Sequence, residues 1–234
     1  MQSKNASRVL SILGLVVLQL NAAPSFGQNS HGNPNPGVVP IQANYAGKSY
    51  AEWSASWWQW LYETFTPTSP LLDATGASAG VGQSGPVFFL AFPFLPNTVR
   101  NITVPAGKAI LFPCSSGDVL FSVPPWATLE ERIAAAEAGI AITANSQGDV
   151  DGVEIKDFNS YWVISEPFTA TFTPDNIIGI PSGQYGPDVA GGHWILLTPM
   201  SVGQHTIHFS WDTLFGFFQG HWDETYNITV TPGK

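Results

Sequence analysis

Four of the nine tryptophans in this 234-residue chain lie within eight positions, in the segment Trp53-Ser-Ala-Ser-Trp57-Trp-Gln-Trp60. Ser49 and Glu52 precede this segment with the spacing of a capping box, in which each side chain satisfies a backbone N–H group of the first helical turn. The pattern predicts a helix from about Ser49 to Phe65, which the following prolines end.

The tryptophans of this helix form one wide aromatic face, because Trp53, Trp57 and Trp60 recur at helical spacing. Such a face is either buried in the core or binds a flat, apolar partner. Both interpretations stay open for the stripe as a whole. Trp58 points away from the side of Trp57 and is the residue of the four that we expect to be exposed.

The N-terminal 27 residues have the pattern of a signal peptide. Two basic residues, Lys4 and Arg8, precede an apolar run from Val9 to Leu20, which is too short to span a bilayer. Small residues at positions 25 and 27 predict cleavage near Gly27; an uncleaved anchor is the alternative. We therefore expect a secreted or periplasmic protein that has no transmembrane segment after signal removal, with a flexible leader over residues 28–44 and a single folded domain over 45–234.

Charge excludes one class of partner. The chain carries 8 Lys and Arg against 17 Asp and Glu, a net charge of −9. Loss of the signal peptide removes two basic residues and no acid, which leaves a net charge of −11. Nucleic acid is therefore excluded as a partner, because phosphate binding needs clustered Lys and Arg. The one cysteine, Cys114, has no internal disulfide partner and is expected to be a small buried apolar residue.

Most of the chain beyond residue 86 is predicted to form short strands, because apolar or alternating segments recur between Gly and Pro residues. The exception is a second capping box, Thr128 with Glu131, which opens an alanine-rich helix to about Gly139. This order favours a mainly β fold, an antiparallel β-sandwich of immunoglobulin-like or jelly-roll type with two peripheral helices. The predicted strands are Val87–Phe92, Val99–Val104, Ala109–Pro113, Asp149–Ile155 with a turn at Asp151-Gly152, Tyr161–Ser165, Phe168–Phe172, Trp194–Thr198, His205–Trp211 and Thr225–Val230.

Histidines near the C-terminus are the candidate metal ligands. His193, His205 and His208 with Asp188 would suit zinc or copper. However, His205 and His208 are three residues apart and face opposite sides of a regular strand. Calcium is not expected, because the acidic stretch from Asp149 fails the twelve-residue calcium-loop pattern.

No nucleophile motif survives inspection. The segment Gly82-Gln-Ser-Gly-Pro86 has proline where a nucleophile elbow needs glycine. Three carboxylates, Asp73, Asp118 and Asp188, lie in glycine-rich loops, where sites often occur. A glycosidase-type pair among them stays open, since the sequence gives no separation between them.

Several short motifs occur in a fixed order along the chain. They are Trp57-Trp-Gln-Trp60, Pro70-Leu-Leu-Asp73 with Thr75-Gly76, Gln83 with Gly85-Pro-Val87, Val104-Pro-Ala-Gly-Lys108 with Phe112-Pro113, Val150-Asp-Gly152 and Gly203-Gln-His-Thr-Ile-His-Phe209. With these motifs the chain resembles, over most of residues 50–230, a family of exported bacterial proteins of about this length. The resemblance implies an exported, β-rich single domain and brings no catalytic residues with it.

Taken together, the 30 aromatic residues, the acidic charge and the lack of a nucleophile motif favour a secreted, non-catalytic protein without a cofactor. We expect it to bind a carbohydrate or another extracellular polymer through exposed aromatics. The contact residues expected are Trp58 and Trp60 on the outer side of the helix and Trp126 and Trp222 in loops. The alternatives are a secreted metal-dependent hydrolase and a structural envelope or matrix protein, so enzymatic activity stays an open question.

Overall fold

The computed structural model describes residues 35, 37–92, 97–139, 143–213 and 220–233. The predicted signal peptide and the first part of the predicted leader lie outside these residues. The described residues all belong to one unit, which spans Pro34–Lys234.

Both helices begin where the sequence places a capping box. Helix α1 spans Tyr50–Glu63; the Ser49 hydroxyl accepts from the Glu52 N–H at 3.3 Å, and Glu52 accepts from the Ser49 N–H at 2.8 Å. Helix α2 spans Leu129–Ala138 and repeats this pair of bonds with Thr128 and Glu131. Both predicted helices are therefore confirmed. Neither is long and apolar enough to cross a membrane, and the same holds for every helix in the described ranges.

The described residues form eleven strands and a short 3-10 helix at Phe158–Tyr161. All predicted strands are present; Phe168–Phe172 has the predicted ends, and the ends of the others are shifted. One strand, β8, was not predicted, because its Gly- and Pro-containing sequence shows no apolar alternation. The strands are β1 Val87–Phe89, β2 Thr98–Pro105, β3 Ala109–Asp118, β4 Thr143–Val150, β5 Val153–Glu154, β6 Trp162–Ile164, β7 Phe168–Phe172, β8 Gly183–Asp188, β9 Ala190–Leu197, β10 Gly203–Thr213 and β11 Gly220–Thr231.

The strands form two main sheets and a two-stranded ribbon. The first sheet has the order β1-β3-β9-β6, the second has the order β2-β11-β10-β4-β5, and β7 pairs with β8. Pairing is antiparallel except for β1 with β3 and β2 with β11. The β1–β3 pair is parallel because the chain passes through β2 in the second sheet before it returns as β3. The predicted mainly β sandwich with two helices is confirmed.

The two sheets pack face to face through aromatic side chains. Phe112 of β3 stacks on Phe209 of β10 with ring centroids 4.9 Å apart. The Cys114 thiol lies in the same layer, 3.5 Å from the carbonyl oxygen of Ser210. Burial raises the pKa of this thiol, so Cys114 is a core residue, as predicted, and not a reactive one.

The first sheet is the middle layer of the domain. All eight residues of β9 are buried, because the second sheet covers one face and α1 covers the other. Trp57 of α1 lies edge-on to Trp194 of β9, with ring centroids 5.3 Å apart. A strand covered on both faces is largely apolar, which explains why this part of the sequence lacks alternation; His193 is the one polar residue of β9.

The last part of the predicted leader, residues 37–44, packs on the folded unit. Val38 and Val39 are buried, and the Val39 N–H donates to the carbonyl oxygen of Leu196 at 2.8 Å. Strand β6 does not extend along β9 as far as Leu196, so this segment satisfies the free edge there. Residues 37–44 are therefore held against the folded unit, and the predicted flexible leader does not extend through them.

Candidate functional site

The tryptophans of α1 are core residues. Trp58 and Trp60 are each only 5% exposed, which corrects the expectation that they face outward to contact a ligand. Each indole N–H of the helix has an acceptor, as a buried indole requires. The acceptors are the carbonyl oxygens of Tyr45, Leu90 and Val81 for Trp53, Trp57 and Trp60, and the Ser116 hydroxyl for Trp58, at 2.8–3.2 Å.

A second layer explains why the outer side of α1 is buried. Strand β7, paired with β8, packs on the helix, and Tyr62 of α1 contacts the buried ring of Phe172 with centroids 4.8 Å apart. Trp58 lies edge-on to Trp57 and beside Tyr62 of the same helix, and its indole N–H donates to the Ser116 hydroxyl near the end of β3. β7 was predicted as a strand, but its sequence does not show that it packs on α1.

Trp222 offers little free surface. It lies in β11 and not in a loop, and its ring stacks on Trp211 with centroids 5.6 Å apart and planes 8° apart. One indole face is therefore occupied within the protein, and Trp222 is half-buried. A ligand would meet only the remaining face and edge.

Trp126 is the most exposed tryptophan that the structure describes. It lies between β3 and α2, in residues 119–128, a segment that we call the aromatic loop. Its side chain is 82% exposed, Phe121 of the same loop is 59% exposed, and Leu129 at the start of α2 is 42% exposed. Three large apolar residues within nine positions thus face solvent, whereas six of the other tryptophans are buried.

A buried arginine holds the aromatic loop in place. Arg132 of α2 is 3% exposed, and its guanidinium donates to the carbonyl oxygens of Pro124, Pro125 and Ala127 at 3.2–3.3 Å. Proline also restricts the backbone before Trp126, because its ring fixes φ. The exposed indole is therefore carried by a pre-organised segment and not by a loose one.

Two carboxylates, Asp118 and Asp188, meet beneath this loop. Asp118 ends β3 and Asp188 ends β8; both interact with the Tyr62 hydroxyl, which donates to Asp118. Asp188 is fully buried. Burial, and then the charge of Asp118, raises the pKa of Asp188 to about 8. The sequence analysis named both residues among the loop carboxylates, but the sequence could not show that they lie close together.

The predicted metal ligands do not converge. His193 is buried among Phe158 and Trp162 and bonds to the Ser115 hydroxyl at 3.1 Å, and desolvation lowers the pKa of its imidazole to about 4. Asp188 belongs to the carboxylate pair described above. In the part of the chain that the structure describes, no three His, Cys, Asp or Glu side chains are arranged to hold a metal ion. The zinc or copper site built on His193, His205, His208 and Asp188 was therefore wrong.

The His205 ring lies between Ser201 and Asp151, an arrangement that resembles a Ser-His-Asp catalytic triad. The Ser201 hydroxyl lies 3.2 Å from Nε2, and Asp151 lies 2.7 Å from Nδ1; His205 and Asp151 also line a cavity of about 200 Å³. However, Nε2 also lies 2.9 Å from the carbonyl oxygen of Ser201, which only accepts hydrogen bonds. Both nitrogens must therefore donate, and the bonds to Asp151 and Ser201 raise the pKa of His205. In this arrangement the ring is a charged clamp and has no lone pair with which to act as a base.

His208 is a second clamp, on the outer face of the second sheet. Its two nitrogens lie 3.0 Å from Asp149 of β4 and 3.0 Å from Asp223 of β11. Partial burial disfavours the charged ring, but the bonds to Asp223 and Asp149 prevail and raise the pKa of His208. Both nitrogens are occupied by carboxylates, so this histidine connects three strands and presents no free nitrogen to a metal.

Sequence reasoning missed Phe121 in the aromatic loop and Arg132, which holds the loop in place. Phe121 was overlooked, although aromatic residues flanking two consecutive prolines were visible in Phe121-Ser-Val-Pro-Pro-Trp126. The role of Arg132 had no local signal, because an arginine at the fourth helical position is ordinary.

No family model matches this chain, and no curated protein matches it. Two solved structures are similar to it. The cysteine protease inhibitor EhICP2 from Entamoeba histolytica is 15% identical, with a TM-score of 0.21, over 57% of this chain and 86% of the inhibitor. The structure of PbICP-C in complex with falcipain-2 gives 12% identity and a TM-score of 0.25, over 63% of this chain and 100% of the other. At these TM-scores neither likeness carries an argument about function.

Proposed function

We propose that this protein is a secreted, non-catalytic binding protein whose aromatic loop contacts a carbohydrate or another extracellular polymer. The observation that carries the proposal is the 82% exposure of Trp126 on a loop that buried Arg132 holds in place. Export is inferred from the N-terminal sequence pattern alone.

The energetics of the loop support a binding role. An exposed indole loses the stabilisation that burial gives, so an isolated domain gains nothing from displaying one. A fixed loop, by contrast, has already lost the conformational entropy that binding would otherwise cost. Flat indoles stack on the apolar faces of sugar rings, and Trp126 offers such a surface.

The charge of the protein narrows the class of polymer. At a net charge of −9 for the full chain, an anionic polymer would be repelled over a Debye length. Exposed Glu130 at the start of α2 adds an acceptor for hydroxyl or ammonium groups close to the loop. We therefore expect a neutral or cationic polysaccharide to bind better than an acidic one.

Retention on insoluble polymers tests the proposal. Wild-type protein is incubated with cellulose, chitin and peptidoglycan, and the bound fraction is compared with that of Trp126→Ala. Loss of one stacking indole is expected to weaken binding about tenfold, which corresponds to roughly 1.4 kcal/mol. Val153→Ala, which truncates a 66% exposed apolar residue on β5, is the matched control and should bind like wild type.

Two outcomes count against the aromatic loop as the binding site. Equal retention of wild type and Trp126→Ala on every polymer that binds would remove Trp126 from the contact. A loss in Trp222→Ala alone would move the site to β11. N-terminal sequencing of protein recovered from a secreting host tests export separately, with residue 28 expected as the first residue.

A further inference from the structure

The carboxylate pair Asp118 and Asp188 lies directly against the start of the aromatic loop. The Leu120 N–H donates to Oδ1 of Asp118 at 2.9 Å. The Val119 N–H interacts with the Asp188 carboxyl and donates to the carbonyl oxygen of Val189 at 3.1 Å. The first two residues of the loop are thus held by the two carboxyl groups and by the backbone beside them.

The one described cation that acts on this pair, Arg132, can offset only one of the two carboxylate charges. Oδ2 of Asp188 is buried without a hydrogen-bond partner, and no described Lys or Arg forms an ion pair with either carboxylate. The nearest cation by its electrostatic effect is Arg132; its Nε and Nη2 are bound to loop carbonyls, and its Nη1 is buried without a hydrogen-bond partner. Asp188 is fully buried and Asp118 is half-buried, so the two neighbouring carboxylates cannot both be charged at low cost, and a shared proton is the simplest neutralising partner.

We propose that Asp118 and Asp188 share one proton, and that release of this proton unlocks the aromatic loop as the medium becomes alkaline. Two negative charges then repel each other beneath Val119, and solvation of the carboxylates favours a state in which the loop has separated from the strand ends. The groups that face the pair are the Tyr62 hydroxyl from α1, the Arg132 guanidinium from α2 and the backbone amides of the loop. Neither side chain replaces the lost proton, because burial raises the pKa of Tyr62 and the single charge of Arg132 offsets only one of the two carboxylates.

The direction of the effect follows from linkage. In the closed state the pKa of Asp188 is raised to about 8, from an ordinary value of 3.8. An open, solvated carboxyl returns to its ordinary pKa, so the closed state binds the proton more tightly. Opening therefore becomes more favourable as pH rises through this window and levels off above about pH 8. Weaker polymer binding in alkaline medium would follow, and that consequence rests on the proposed function.

Amide hydrogen exchange of the ligand-free protein tests this switch. The amides of Ser122, Val123 and Ala127 are hydrogen bonded within the closed loop and report its opening. After correction for the intrinsic pH dependence of exchange, their protection should fall by up to about tenfold per pH unit between pH 6 and 8. The amide of Ile195 in β9 is the internal control and should show a much smaller slope.

Two variants decide the outcome. Asp188→Asn keeps the shape and removes the titration, so loop protection should no longer depend on pH. Asp118→Asn removes the neighbouring charge, so the levelling-off point should move below pH 8, and this variant serves if the first does not fold. A flat wild-type profile, or the same slope in both variants as in wild type, would overturn the switch. Because the exchange experiment uses no ligand, its failure would not affect the proposed polymer binding. In the same way, a failure to bind polymer would not affect the exchange result.

Discussion

Arg132 donates hydrogen bonds to the carbonyl oxygens of the residues immediately before and after Trp126. The bonds to Pro125 and Ala127 are 3.2 and 3.3 Å long, so a buried guanidinium clamps the backbone on both sides of an exposed indole. The Arg132 side chain is buried, whereas the Trp126 side chain faces solvent just before α2 begins. The position of Trp126 therefore depends on a side chain that is buried in the core.

Arg132→Met should release the loop without changing its exposed residues. Loss of three hydrogen bonds from a charged donor leaves carbonyl oxygens unsatisfied, and we expect the free energy of unfolding to fall by about 1–3 kcal/mol. Urea denaturation measures this change, and polymer retention should fall with it. Lys156→Met removes an exposed positive charge elsewhere and is the control. Unchanged stability and loop exchange in Arg132→Met would show that the clamp does not hold the loop.

Quenching of tryptophan fluorescence should separate Trp126 from the core indoles. Acrylamide reaches exposed rings first, so the easily quenched part of the emission should largely disappear in Trp126→Phe. Trp58→Phe removes a 5% exposed ring and should leave that part in place. Steady-state quenching curves of the three proteins make the comparison. Equal loss of the quenched fraction in both variants would mean that Trp58 is as accessible as Trp126.

The His208 clamp should stabilise the protein in acid more than in alkali. The pKa of His208 is raised above 6.5 in the folded state, so folded protein holds this proton more tightly than the unfolded chain. The contribution is complete below about pH 6.5 and is lost as pH rises through the folded pKa. Because the three side chains of the clamp are partly exposed, solvent screening limits the contribution to between a few tenths and about 1 kcal/mol.

His208→Gln measures this contribution. The difference in unfolding free energy between wild type and the variant is determined at pH 5.5 and at pH 8.5. We expect the larger difference at pH 5.5, and the comparison cancels the separate titration of Asp188. An equal difference at both pH values, or a larger one at pH 8.5, would contradict the clamp.

Local signals predicted both helices, since each capping box is contained within four residues. Ser49 with Glu52, and Thr128 with Glu131, satisfy each other without any help from the rest of the fold. Strands with strong apolar patterns were also predictable, because that pattern is a direct consequence of burial. The order of the layers was not predictable, because it depends on which distant segment of the chain covers each face of a sheet or helix.

Trp58 shows how that limit affected the candidate site. Its exposure was inferred from the position on the helix, but the ring is 5% exposed, and the sequence of β7 does not show that this strand packs on α1. The loop position of Trp126 was readable from the surrounding prolines. Its clamp and the nearby carboxylate pair were not, because Asp118 and Asp188 are 70 positions apart in the sequence.

Truncation of Trp57 and Trp126 should have opposite consequences for stability and binding. Trp57 is fully buried against Trp194 and donates to the carbonyl oxygen of Leu90 at 2.8 Å. Trp57→Ala is therefore expected to lower the free energy of unfolding by about 3–5 kcal/mol, through lost burial and a residual cavity. Trp126→Ala should change it by less than about 0.5 kcal/mol, because the ring is solvated in both states. Urea denaturation of both variants measures this contrast. Comparable losses would mean that Trp126 supports the fold, and reduced polymer retention in Trp126→Ala would then reflect instability instead of a lost contact.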